Sequence, residues 1–277
     1  MNYILRKRGH SLSTLTLILS KMQNKPRVTI GNKKNADVAI RWGCTASFPS
    51  NIVINKAASI AASSNKPNAR NTFAANDVVI PATSNTSQGI ANLPDGSYVI
   101  RPIAHYGGNN FIVADDKREA VAEFNRMARR HGGAYCSLLI KKTNEYRVHV
   151  AHGKVLGIQE KPLPENGHRA NMSIVGIPWT VLRQDAWSAK MCRMAINAVK
   201  SVGLDFGAVD IIKGPAKSEF YVLEINTSPQ IASEIISEKY AKYFDWLLRA
   251  GANREHFALK AKLNAKGFAW TSSDFSK

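Results

Sequence analysis

The chain has 277 residues, and 38 Lys+Arg against 20 Asp+Glu give it a formal net charge of +18. That length suffices for one large or two modest domains with real cores, and a hydrophobic content of 44% with 21% charged residues excludes a wholly disordered chain. No apolar run reaches the ~18–20 residues that span a bilayer, so no membrane partner is expected.

The best apolar run, Leu12 to Leu19, is interrupted by Ser13, Thr14 and Thr16. Arg6, Lys7 and Arg8 precede it as they would in a secretory signal, but the run is weak and no small-x-small cleavage site comes before Lys21. The opening therefore reads as a strand (Tyr3 to Leu5), a basic loop and a helix opened by Ser11. A second apolar segment, Ala36 to Trp42, ends in Gly43, and together these predict a small α/β domain. Cys44, Cys136 and Cys192 are odd in number and far apart, which makes neither a disulfide framework nor a zinc site and suits a reducing cytosol.

Asn55 to Ser64 reads as a helix and Asn65-Lys-Pro-Asn68 as a loop. Asn71 to Ala75 predicts a short helix, Val78 to Pro81 a strand, and the Thr/Ser/Asn-rich stretch Ala82 to Asp95 a flexible connection. Tyr98 to Pro102 and Phe111 to Val113 are strands flanking a glycine pair, Gly107-Gly108. Asp116 to Arg130 carries Ala120, Val121, Phe124 and Met127 at helical spacing behind an Asp115 or Asp116 cap. Three strand-like runs follow, Tyr135–Ile140, Tyr146–Ala151 and Lys154–Gln159. Asp185 to Val202 is an amphipathic helix closed by Gly203. Strands Ala208–Ile212 and Phe220–Ile225 surround a Gly214-Pro215 turn, and a last helix runs from Ser233 to Leu248. Helices mixed with antiparallel hairpins make the chain α+β.

The charge is uneven. Eight basic residues precede the first acid, Asp37, and the stretch Arg249 to Lys266 has Glu255 as its only acid. Such a field attracts polyanions: nucleic acid, acidic protein tails or phosphorylated small molecules. No aromatic-interleaved basic motif or DNA-binding signature accompanies it.

The last hairpin carries the most specific chemistry. Asp210 and Glu224 stand in otherwise apolar strands, where an unpaired charge is expensive. Strand alternation puts Glu224 and Asn226 on one face, and a symmetric hairpin sets Asp210 opposite Glu224. Two carboxylates and a carboxamide oxygen are hard donors of the kind that hold magnesium beside phosphates. The alternative is that each carboxylate pairs with one of the many basic residues. His149 and His152 read as surface or packing residues, and Trp179, Trp187, Trp246 and Tyr243 as packing.

Gly203-Leu-Asp-Phe-Gly-Ala-Val-Asp210, a hairpin, and Leu223-Glu-Ile-Asn-Thr-Ser-Pro229 resemble the metal-binding end of the ATP-grasp fold, as found in ligases similar to ribosomal-protein glutamate ligases and their small bacteriophage members. The resemblance implies magnesium, or manganese in its place, at Asp210, Glu224 and Asn226. It extends over most of residues 36–246. Asn65-Lys66 followed by Val79-Ile-Pro81 resembles the Asp-Lys…Pro segment before the nucleotide domain, which puts Lys66 at the nucleotide. Val99-Ile-Arg101-Pro102 aligns with a strand bearing a phosphate-contacting Lys, here Arg101. His105 to Asn110, with Gly107 and Gly108, matches the glycine lid. Leu138, Leu139 and Ile140 fall at the hinge whose backbone reads adenine.

Glu145-Tyr-Arg147-Val resembles a strand whose Arg contacts the reacting phosphate and acyl group. Lys161, Arg169 and Asn171 fall where phosphate or acceptor contacts are found.

The resemblance implies an ATP-grasp fold, two α+β subdomains clasping nucleotide, preceded by a small α/β domain. The expected divisions are 1–55, 56–140 with the lid, 141–250 with the metal site, and a basic tail at 251–277. The implied activity is ATP- and magnesium-dependent joining of a carboxylate to an amine (a small molecule or amino acid) through an acyl phosphate, in the cytoplasm, that of a host cell if the protein is viral. The anionic substrate would be an acidic peptide or protein tail or a nucleic-acid-linked group. Two rivals stay open: a kinase on the same fold, and a basic nucleic-acid-binding protein that kept the scaffold.

Overall fold

A computed structural model of the chain describes residues 2–7, 12–30, 35–104, 110–163, 179–231, 233–250, 268–271 and 274. The first elements are β1 (Tyr3–Arg6), α1 (Ser13–Lys21), β2 (Arg27–Thr29), β3 (Ala36–Trp42) and β4 (Ser50–Ile54). Their four strands form a parallel sheet in the order β2-β1-β3-β4. The inner strand β3 is buried apart from Asp37, the pattern of a parallel strand covered on both faces. This is the expected α/β unit, with two strands the sequence did not announce: β2 is a three-residue edge, and β4 begins with polar Ser50-Asn51.

The middle of the chain holds α2 (Ala57–Ser64), α3 (Lys66–Ala74), β5 (Thr83–Ser84), α4 (Ser87–Ala91), β6 (Tyr98–Pro102), β7 (Ile112–Ala114), α5 (Lys117–His131) and β8 (Ala134–Leu138). An antiparallel sheet, β5-β8-β6-β7, lies under α5. Asp116 caps α5 by accepting the Glu119 N–H, and Glu119 returns a bond from the Asp115 N–H. Three local readings change. Residues 66–68 are the first turn of α3, because Asn65 accepts the Asn68 N–H and Pro67 needs no hydrogen bond there. Val78–Pro81 pairs by one backbone bond to Val222 and is no strand. The polar stretch after Pro81 is ordered into β5 and a short helix capped by Thr86.

The third part comprises β9 (Asn144–Ala151), β10 (Lys154–Lys161), β11 (Thr180–Val181), α6 (Ala189–Ser201), β12 (Phe206–Lys213), β13 (Phe220–Asn226) and α7 (Glu234–Ala250). Helix α6 starts at Ala189, four residues later than its sequence suggests, because Ser188 caps it and residues 184–186 form a separate 3-10 turn. The antiparallel sheet β11-β10-β9-β12-β13 has an apolar face, where Val148, Val150, Ile158, Val209 and Ile211 pack on Met191, Ala195 and Val199 of α6. Its other face is divided. One end is aromatic, with the Phe206 ring centroid 5.8 Å from that of Trp42 of β3 and 5.5 Å from that of Phe244 of α7; the other end is charged. Phe268, Ala269 and Trp270, which sequence reading puts in the basic tail, are buried against this body, and Trp270 Nε1 donates to the Ala151 carbonyl at 2.8 Å.

Asn55 ties the N-terminal sheet to the start of β12. It is fully buried with φ +62°, accepts the N–H groups of Asp205 and Phe206 at 2.8 and 3.1 Å, and donates to the Phe206 carbonyl at 3.0 Å. Replacing its side chain strands buried backbone groups and leaves a left-handed conformation that Asn tolerates better than Ala. We expect Asn55→Ala to lose about 2 kcal/mol in urea unfolding, whereas an unchanged midpoint would show that the amide is dispensable.

Candidate functional site

Sheet register builds the charged end. Gln159 of β10 pairs with Arg147 of β9, Arg147 with Asp210 of β12, and Asp210 with Glu224 of β13, a row across four strands. Glu145 pairs with Lys161 one step along. Because alternate residues share a face, Asn226 joins Glu224, and its amide nitrogen donates to Asp210 at 3.3 Å. The pairing of Asp210 with Glu224 is the one expected of the hairpin.

Both carboxylates have cationic partners. Arg147 grips Asp210 with two parallel bonds of 2.8 Å, and Lys161 reaches the same carboxylate at 2.9 Å. Lys161 also donates to Glu145 at 2.7 Å, whose second oxygen takes Lys142 at 2.7 Å. Lys66 holds Glu224 at 2.7 Å. Burial by itself would raise the Asp210 carboxyl, but Arg147 and Lys161 outweigh it and hold it well below the ordinary carboxylate range. Glu145 is likewise held low against its burial by Lys161 and Lys142, and Glu224 by Lys66. Lys66 stands in the first turn of α3, where a cation opposes the helix dipole. Its placement serves Glu224 rather than the helix.

Three more arginine and backbone features surround Glu224. Arg101 on β6 is close enough to lower the Glu224 carboxyl, and its guanidinium lies 5.5 Å from the Phe111 ring centroid. Arg70 is buried, donates to the Leu223 carbonyl at 3.2 Å and to Thr83 Oγ1 at 2.9 Å, and sits 5.2 Å from the Tyr135 ring. After Asn226 the chain turns through Thr227 and Ser228 against Gly43. A Cβ on Gly43 would come within 2.7 Å of Ser228 Oγ, and its φ of +66° independently favours glycine. At the end of β8, Leu138 and Leu139 donate their N–H groups to Ala82 and Ser97, both at 2.8 Å. Of the three residues expected to read adenine, Ile140 keeps its N–H uncommitted to the described backbone.

The structure therefore brings together Lys66, Arg101, Glu145, Arg147, Lys161, Asp210, Glu224 and Asn226, while Leu138, Leu139 and Ile140 lie at and just beyond the end of β8, whose Tyr135 pairs with Arg101. Gly107, Gly108, Arg169 and Asn171 lie outside the described residues. Lys142 and Arg70 carry no signal in the spacing of the sequence, and Trp179 reads there as a packing residue. Trp179 instead lies over the cations, its ring centroid 4.6 Å from the Arg147 guanidinium carbon and 5.0 Å from the Lys161 nitrogen. His149 is a packing residue: its neutral ring donates to Gln159 Oε1 at 3.0 Å and accepts the Tyr240 hydroxyl at 3.2 Å.

The donor set fits a magnesium ion that shares its shell with phosphates. Among the described residues no group of three or more His, Cys, Asp or Glu converges as an all-protein cage. Asp210 is enclosed, with a side chain only 7% exposed, and is occupied by cations; Glu224 is 25% exposed. Glu224 Oε1 and Asn226 Oδ1 have no protein donor among the described residues, which leaves one carboxylate and one carbonyl oxygen available, as such sites require.

No family model and no curated protein sequence matches the chain. Solved structures do. A D-alanine–D-alanine ligase from Bacillus anthracis superposes with a TM-score of 0.62 at 14% identity, covering 90% of this chain and 95% of that one. An ATP-grasp ligase from Chryseobacterium gregarium, in complex with ADP and a leader and core peptide, gives 0.61 at 13% identity over 87% and 96%. The ATP-grasp ligase PsnB, complexed with a minimal precursor, Mg and ADP, gives 0.58 at 14% identity over 83% and 90%. The likeness establishes the ATP-grasp fold for this chain.

Proposed function

We propose that the protein is an ATP- and magnesium-dependent ligase that joins a carboxylate to an amine through an acyl phosphate. The observation that carries this reading is the row Arg147–Asp210–Glu224, with Lys161 and Lys66 bound to its carboxylates, inside an ATP-grasp fold. Five cationic side chains (Lys66, Arg101, Lys142, Arg147, Lys161) face three carboxylates, an excess of positive charge suited to a nucleotide triphosphate.

In the first step a carboxylate oxygen of the substrate attacks the γ-phosphorus, the bond to the bridging oxygen breaks and ADP departs. In the second an amine nitrogen attacks the acyl carbon, phosphate leaves and the amine gives up a proton. Magnesium, or manganese, held by Glu224 and Asn226 beside Asp210, supplies charge neutralisation for the phosphates. Lys66 and Arg101 hold the inner phosphates. Arg147 and Lys161 receive the transferred phosphoryl group, with Glu145 and Lys142 fixing Lys161.

We assign adenine to the Leu138–Ile140 backbone, lid closure to Gly107 and Gly108, and acceptor contacts to Arg169 and Asn171, within divisions at 1–55, 56–140, 141–250 and 251–277. The substrate is anionic, drawn by the +18 charge. An acidic peptide is the favoured class: the charge favours an acidic partner, and the Chryseobacterium structure holds a leader and core peptide, the PsnB structure a minimal precursor, together with ADP.

The test is thermal unfolding with ATP, with and without magnesium. At a hundredfold excess over Kd, a bound nucleotide adds about 2.7 kcal/mol. Wild type is expected to gain this only with magnesium, and Glu224→Gln to lose most of it. A folded wild type that gains nothing rejects the reading and turns attention to salt-dependent nucleic-acid binding. Given a shift, acidic peptides and amines are screened for ADP release, where a stable phosphorylated product would instead identify a kinase.

A further inference from the structure

We infer that Trp179 is a positioning residue that sets Arg147 and Lys161 for the terminal phosphate of ATP. The inference rests on the ligase reading for its ligand and on geometry for its place. Trp179 immediately precedes β11, whose Thr180 pairs with Glu160 of β10. Continuing that antiparallel register brings Trp179 beside Lys161, and the indole then lies over both cations, at 4.6 Å from Arg147 and 5.0 Å from Lys161. Both distances are within the roughly 6 Å over which a cation is attracted to an indole face.

The ring is not placed by its polar atom. Its N–H is buried and has no acceptor among the described residues, although a buried indole N–H usually finds one. Its ring contacts among the described residues are with the two cations. These two side chains both bind Asp210 yet are not exhausted by it. Among the described residues Arg147 commits two of its five N–H groups, and Lys161 two of three, one to Asp210 and one to Glu145. The remaining donors are the ones that can receive a terminal phosphoryl oxygen. Arg and Lys side chains are rich in rotamers, and their ordering is costly; an aromatic face over both holds them before the nucleotide arrives. The ring contacts given by the described residues are to Arg147 and Lys161, while Lys66 and Arg101 stand on other elements, so the effect is expected at the phosphate that ATP has and ADP lacks.

The experiment compares binding of ATP, as its non-hydrolysable imido analogue with magnesium, and of ADP with magnesium, by calorimetry on the full chain. Trp179→Leu is expected to weaken the ATP analogue about tenfold and ADP less than about twofold, while Trp179→Phe, which keeps an aromatic face, stays within about threefold on both. Trp179→Met replaces the leucine variant if that variant does not fold. A second readout needs no ligand. The Arg147 Nε–H resonance, assigned by its loss in Arg147→Lys, is shifted by the indole ring current in wild type and moves in Trp179→Leu. Equal weakening of both nucleotides, or an Arg147 resonance that stays in place, overturns the inference. If wild type binds neither nucleotide, the ligase reading fails, and the Arg147 resonance alone then decides whether Trp179 positions the cation.

Discussion

Asp210→Asn is expected to destabilise the protein by about 3–5 kcal/mol, because it removes the carboxylate from a buried group and leaves Arg147 and Lys161 facing a neutral amide. The substitution barely changes volume, so the loss reads charge rather than packing. Arg147 has the most to lose: burial opposes its charge, and Asp210 is the main influence that raises its pKa in compensation. Urea unfolding at pH 7 measures the effect. Adding Arg147→Met to Asp210→Asn should recover a large part of the loss, since removing both members of a buried pair costs less than orphaning one. A single variant as stable as wild type would mean that water or rearrangement relieves the cations, and the row would no longer be an enclosed electrostatic unit. The same variant is expected to abolish magnesium-dependent stabilisation by ATP, because the two side chains assigned to the terminal phosphate lose their anchor.

Stability should fall as the pH drops below about 6.5, well before carboxylates titrate, and His149 is the main cause. Burial pushes this imidazole down to about 3, and the nearby Arg147 adds to the shift. An unfolded chain takes up a proton at His149 near pH 6.5 and the folded protein does not until near 3, so stability contributed by the neutral ring is present above 6.5 and is lost progressively between those values. From pH 6.5 to 4.5 the loss from this residue is about 2–3 kcal/mol, and it is on the order of 4 kcal/mol by pH 3. His152, also buried and lowered, adds in the same direction. Asp210, Glu145 and Glu224 act at the acid end of that window and below it: their stabilisation is present above their unfolded values near 4 and disappears as the pH falls toward their depressed folded values. Urea midpoints at pH 7 and 4.5 for wild type and His149→Gln test this. The variant should show the shallower decline, and parallel declines would place the acid sensitivity elsewhere.

The hairpin was legible because strands obey a period of two. Glu224, Asn226 and Asp210 share a face for that reason alone, and a charge in an apolar strand marks a place where ordinary burial is being overruled. Helix ends with an Asp116 cap or a Gly203 stop were legible for a similarly local reason. Lys66, Arg70 and the hydrogen bonds of Asn65 were less so: Asn-Lys-Pro-Asn reads as a loop until a capping bond and a tertiary partner convert it into the start of a helix. The stretch after Pro81 has no apolar period, and its two-residue strand exists only because β8 offers an edge to pair with.

The sequence alone determined the α+β character, the facing of the acidic hairpin, the excess of positive charge and three cysteines without pairing, since each follows from composition or from the repeat of a single element. Only the tertiary structure decided which cations answer which carboxylates. Arg147 and Lys161 are 63 and 49 positions from Asp210, and Lys66 is 158 from Glu224, so no local period relates them. Register between strands and the docking of α3 bring them within hydrogen-bond distance. The same holds for Trp179 over its two cations and for Trp270 beneath the aromatic end. A side chain's neighbours along the chain fix the face it occupies, whereas its partner across that face is fixed by the packing of elements far apart in sequence.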